Sequence, residues 1–158
     1  MAQEYEGHRL EGLSNRTEAI SYYRRSLATT ERALARSPSE FSFTFQAVAD
    51  EEALAAAQAL EGDRTAALDM ARRAVARAER IASQPGVDRE VAKGKIAEAY
   101  RQLGAVYATF GEWLDARAAA ERADTAWRQL AEAGSKAINR TQADKAEALL
   151  KEATAHFE

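Results

Sequence analysis

Gly62-Asp63, followed shortly by Ala66-Ala67-Leu68-Asp69-Met70-Ala71-Arg72-Arg73-Ala74-Val75, decides the fold, because the chain carries this stretch more than once. Glu18-Ala19-Ile20-Ser21-Tyr22-Tyr23-Arg24-Arg25-Ser26-Leu27 lines up with it, and so does Asp115-Ala116-Arg117-Ala118-Ala119-Ala120-Glu121-Arg122-Ala123-Asp124. Ala19, Ala67 and Ala116 thereby fall 48 and then 49 residues apart. The first two copies share an arginine pair, Arg24-Arg25 and Arg72-Arg73, each followed by a small residue and an aliphatic one. Repetition at a fixed spacing marks stacked helical or strand units, each unable to bury its apolar face alone.

Working outward, Gly62-Asp63 has a counterpart in Gly111-Glu112 ahead of the third copy. Glycine closes a helix by taking the left-handed conformation that other residues avoid, and the acidic residue after it favours the next helix start. The segments before the turns also correspond, Leu54 and Ala55 matching Leu103 and Gly104. The unit is therefore helix, tight glycine turn, helix and a longer link. Those links carry breakers at Ser37-Pro38-Ser39, Gln84-Pro85-Gly86 and Gly134-Ser135. The pattern predicts an all-α chain of about seven helices, at roughly 2–11, 17–36, 43–61, 64–83, 88–110, 112–133 and 136–156. We expect one repeat domain over 1–158, with units near 1–38, 39–86 and 87–134 and a partial or capping unit at 135–158.

Tyr100, Leu103, Gly104, Tyr107, Gly111, Trp113, Ala116, Ala120 and Ala123 resemble the tetratricopeptide repeat (TPR), with its Leu-Gly and Tyr in a first helix, glycine turn and small alanines in a second. Leu54, Ala55, Gly62, Ala67, Ala71 and Ala74 keep the small positions without the aromatics, and Ala19, Tyr23 and Ser26 match in the first unit. A common repeat is about 34 residues, and this period is longer by about four turns of helix. The units are similar to long-helix variants of the family. They also resemble, more weakly, the C-terminal regions of some bacterial serine/threonine kinases. The resemblance implies antiparallel helix pairs stacked in a right-handed superhelix, with partners held on a concave face lined by first helices.

By register that face takes in Glu52, Ala56 and Ala59 in the second unit and Glu98, Arg101, Ala105 and Thr109 in the third. A small floor with a charged rim suits an extended peptide or a helix. The family subtype that grips a C-terminal carboxylate uses lysine, asparagine and arginine; the matching positions here hold Glu52, Ala56, Arg101 and Ala105, of which only Arg101 could serve, so that clamp is not expected. Phe41-Ser42-Phe43-Thr44-Phe45 alternates like a strand, but a lone strand is marginal. We read it as a link and the first turn of the third helix, with Phe41 and Phe45 on one side. Arg73, Arg77 and Arg80 form a basic stripe diluted by Asp69 and Glu79, while Trp113 and Trp127 read as packing residues.

The net charge of -3 gives no electrostatic reason to expect nucleic acid, which calls for a strongly basic face. No run of roughly 18 apolar residues is present to cross a membrane, and Met1 to Gly12 is too polar for a secretory leader. The absence of cysteine excludes disulfides and thiolate chemistry and fits a reducing cytoplasm. His8 and His156 stand near opposite ends, and no metalloprotease or phosphate-loop motif occurs. Neighbouring carboxylates such as Glu51 and Glu52 do not share a helix face. The expectation is a non-catalytic, cofactor-free, cytoplasmic module that binds a protein or peptide. The alternative is a spacer or self-association region of a larger protein, dimerising through exposed repeat ends.

Overall fold

The computed structural model describes residues 15–158, and every regular element among them is an α-helix. These are α1 (Arg16–Arg36), α2 (Phe41–Leu60), α3 (Arg64–Ala82), α4 (Arg89–Thr109), α5 (Trp113–Glu132) and α6 (Arg140–Ala155). The expected helix at 2–11 lies outside the described residues, as do His8 and Gly12.

Short polar side chains set most of the helix starts. Asn15 accepts from the Glu18 amide at 3.2 Å, Asp63 from that of Ala66 at 3.2 Å, Asp88 from that of Glu90 at 2.9 Å, and Asn139 from that of Gln142 at 3.1 Å. Each satisfies an amide that the first helical turn leaves without a partner. Glu112 occupies the same position ahead of α5 and makes no such side-chain cap.

Two boundaries differ from expectation by more than one residue. α2 begins at Phe41 rather than 43, because the Glu40 carboxylate accepts from the Ser42 hydroxyl at 2.9 Å and anchors the first turn there. Phe41 and Phe45 are half-buried while Phe43 is exposed, so these rings follow a helical register and not a strand's. α6 begins at Arg140 rather than 136. The Ser135 hydroxyl donates to Glu90 at 2.6 Å and accepts from the Ala137 amide at 3.1 Å, which holds Lys136 and Ala137 in a turn until Asn139 can cap.

Helix ends repeat one device. After α2, the Gly62 amide donates to the Ala59 carbonyl and the Asp63 amide to that of Gln58, both at 3.0 Å. Gly111 with Glu112, and Gly134 with Ser135, make the same crossed pair of bonds at the ends of α4 and α5. The geometry requires positive φ, and Gly62 and Gly111 adopt +80° and +73°.

The chain divides between Ala74 and Val75, inside α3, into two compact units. In the first, α1 packs on α2 around Ala19, Tyr23, Leu27, Ala47 and Leu54, with Met70 of α3 against them. A buried polar knot joins the same helices. Asp50, 2% exposed, accepts from Ser26 at 3.1 Å, Thr30 at 3.2 Å and Gln46 at 3.1 Å. A carboxylate withdrawn from water costs on the order of several kcal/mol unless donors replace the hydration, and these donors do so.

In the second unit α4, α5 and α6 all pack on one another, around Ala97, Ala123, Trp127, Leu130 and Ala146. The small-residue stripe of the repeat is fully buried in each second helix: Ala67, Ala71 and Ala74 in α3, and Ala116, Ala120 and Ala123 in α5. Small side chains let helix axes approach, and Gly104 marks one close approach. A methyl group there would stand 2.9 Å from Leu149 Cδ2 and 3.2 Å from the Ala116 carbonyl oxygen.

Candidate functional site

Arg73 and Arg122 occupy the same register of α3 and α5, 49 residues apart. In the first unit the Arg73 Nη2 lies 2.8 Å from Glu31 of α1 and 3.4 Å from Glu51 of α2. Glu51 is wholly buried, so Arg73 supplies the counter-charge that its burial demands. In the second unit the Arg122 Nη1 donates to the Tyr100 hydroxyl of α4 at 2.6 Å, and that hydroxyl donates to Glu79 of α3 at 2.6 Å. The Arg122 guanidinium also stands 4.8 Å from the Tyr100 ring centroid.

The partners obey the repeat spacing as strictly as the arginines do. Glu31 and Glu79 are 48 residues apart, and Glu51 and Tyr100 are 49 apart. One polar node is thus built twice from the same three positions: an acid on one second helix, a carboxylate or phenol on the following first helix, and an arginine on its companion. Burial raises the Tyr100 phenol, the bond to Glu79 raises it further, and it is pushed up to about 12. Sequence reading noticed the arginine pairs but not these partners. The signal was available in the shared offset of Glu31 and Glu79, polar residues outside the aligned stretch.

The expected binding residues fall out as follows. On α2, Glu52 and Ala56 are half-buried, and Ala59 is buried at 7% exposure and offers little surface. On α4, Glu98, Arg101 and Ala105 are half-buried and Thr109 is exposed. Lys95 lies 3.4 Å from Glu98, the Arg101 Nη2 donates to Gln102 at 3.0 Å, and the Thr109 hydroxyl turns back to the Ala105 carbonyl at 2.9 Å. Glu98 lines an open groove of about 440 Å³ with Lys95, Ile138, Asn139 and Arg140. A second groove, of about 510 Å³, lies over the Tyr100 node, between Ile96, Ala118, Glu121 and Gln129. The α4 residues thus share one helix, spaced three or four apart, without converging on one cavity.

The basic stripe of α3 is not a run of free cations, since Arg73 serves Glu31 and Glu51. Trp127 is 3% exposed in the second core, as a packing residue should be, and half-buried Trp113 stacks on His156 at 3.7 Å. Among the described residues no three His, Cys, Asp or Glu side chains converge to hold a metal ion, and no helix is long and apolar enough to cross a membrane. No family model, curated protein or solved structure matches this chain.

Proposed function

We propose that this chain is a tetratricopeptide-like, non-catalytic module of the cytoplasm that holds a protein or peptide segment against its first helices. The observation that carries this reading is the polar node formed twice at the repeat spacing, which joins three successive helices in each unit and fixes their register. Such a scaffold leaves the outward residues of each first helix for recognition. On α4 these are Glu98, Arg101, Ala105 and Thr109, where two small side chains lie among charges. On α2 they are Glu52 and Ala56. Neither surface is basic enough to favour a polyanion.

Arg101 is the residue to test, because it is the charged side chain between Glu98 and Ala105 on α4, half-buried and with its Nη2 donating to Gln102 at 3.0 Å. We expect Arg101→Glu to weaken binding of a partner recovered from the source cells about tenfold, as rim charge reversals do. Helical content by circular dichroism should not change. Equal affinity of both proteins, measured by calorimetry, would remove Arg101 from the site.

A second reading, self-association within a larger protein, draws on one apolar spot. Leu114 is 70% exposed and Phe157 51% exposed, beside the Trp113–His156 stack and with Arg117 6.0 Å from the Phe157 ring. A single monomeric species across a wide concentration range in sedimentation would dismiss it.

A further inference from the structure

We propose that the groove over Tyr100 docks a helix of a partner protein carrying an acid and a base one turn apart, the acid on Arg122 and the base on Glu79. Arg122 and Glu79 belong to second helices, apart from the α2 and α4 recognition residues discussed above, and this docking does not depend on theirs.

The inference starts from the difference between the two copies of the polar node. In the first unit the arginine is closed off, with its Nη2 2.8 Å from Glu31 and 3.4 Å from Glu51. In the second unit Tyr100 takes the place of Glu51, and its phenol stands between the two remaining charges. The hydroxyl accepts from Arg122 at 2.6 Å and donates to Glu79 at 2.6 Å. Arg122 and Glu79 are both exposed, and neither forms an ion pair among the described residues. Of the five guanidinium N–H groups, those on Nη1 serve the phenol, and the Nη2 that closes the other copy has no carboxylate here. One node is a finished ion pair; the other holds a cation and an anion apart and leaves each able to take an opposite charge.

The surroundings of the open node have the form of a docking groove. About 510 Å³ of open space lies over it. Along α5 its wall carries Ala118, Arg122 and Ala126 at four-residue spacing, and Ile96 of α4 adds an apolar side chain. Ala118 is exposed, so a small side chain faces outward here as the buried alanines face inward. The lining from Ala118 to Gln129 extends about 16 Å along the helix, room for three turns of a second helix laid against it.

Charge complementarity selects the occupant. Side chains three or four residues apart on a helix stand roughly 5–6 Å from each other, which matches two charges separated by one hydroxyl and two short hydrogen bonds. A polyanion meets Glu79 as well as Glu121, the latter already held by Arg117 at 3.0 Å. A helix with charges of one sign leaves either Arg122 or Glu79 covered without a partner, which is costly. An acid with a base one turn away satisfies both.

The test selects from a displayed library of helical peptides, randomised on one face, against the whole chain. Wild type should enrich peptides with an acid and a base three or four residues apart. Arg122→Glu should instead enrich two bases at that spacing, and should bind the wild-type peptides about tenfold more weakly by fluorescence anisotropy. Ala118→Arg obstructs the groove without altering the node and should weaken the same peptides, while Arg101→Glu should leave them bound. Circular dichroism checks each fold, and Arg122→Gln, which should lose the preference for the acid, replaces Arg122→Glu if the reversal unfolds the chain. No enriched peptide, only peptides without the pair, or binding indifferent to Ala118→Arg overturns the proposal.

Discussion

Two glycines of the second unit do different work, and alanine at each separates the roles. At Gly111 nothing lies within 4 Å of an added methyl, but φ is +73°. Gly111→Ala should therefore lose about 1–2 kcal/mol through backbone strain alone. At Gly104 the backbone is helical and alanine is preferred by about 1 kcal/mol, but the methyl meets Leu149 and the Ala116 carbonyl. The leucine can turn aside and the carbonyl cannot, so overpacking of about 1–3 kcal/mol outweighs the helix preference and Gly104→Ala is also destabilising. Denaturant unfolding measures both, and a Gly104→Ala protein at least as stable as wild type would refute the close approach. Gly111 was legible because its conformation is a local property of glycine between two helices. The reason for Gly104 was not, since Leu149 comes 45 residues later and only folding brings it near.

At the level of elements, the node that ties α3, α4 and α5 has a pH signature. The Tyr100 phenol titrates near 12 in the folded chain, against about 10 when unfolded. The folded state holds the proton more tightly, so this contribution to stability is complete below pH about 10 and fades as pH rises toward 12. Tyr100→Phe should flatten the fall in melting temperature over that window. An unchanged alkaline profile would mean that the phenol contributes nothing to the node. Helix existence was readable throughout the described chain, because alanine periodicity is joined by glycine stops after α2, α4 and α5 and by Asn or Asp caps at α1, α3, α4 and α6. Starts were less so: Lys136-Ala137-Ile138 has the composition of a helix, and it is the bond from Ser135 to Glu90, 45 residues upstream, that keeps it out of one. The aligned arginines Arg73 and Arg122 declared the repeat but not their duty, for their partners sit 42 and 22 residues away.

For the molecule as a whole, the division inside α3 predicts that the second unit can be isolated. A fragment from Arg64 to Glu158 keeps α3 entire, with Glu79, Tyr100 and Arg122 together. It should be helical and melt cooperatively, followed by circular dichroism and calorimetry. A broad, non-cooperative melt would show that the second unit depends on the first. The helical-repeat architecture was legible at this scale from three aligned stretches. The binding surface was legible only as a register of positions, since spacing names the residues on a helix face but not the cavities between helices. The node has one more consequence. Its first-helix member is a carboxylate in one unit and a phenol in the other, and the arginine finds a partner either way. A lineage could exchange Glu for Tyr there without passing through an ancestor whose guanidinium stood alone, so the joint can diversify while the array it holds persists.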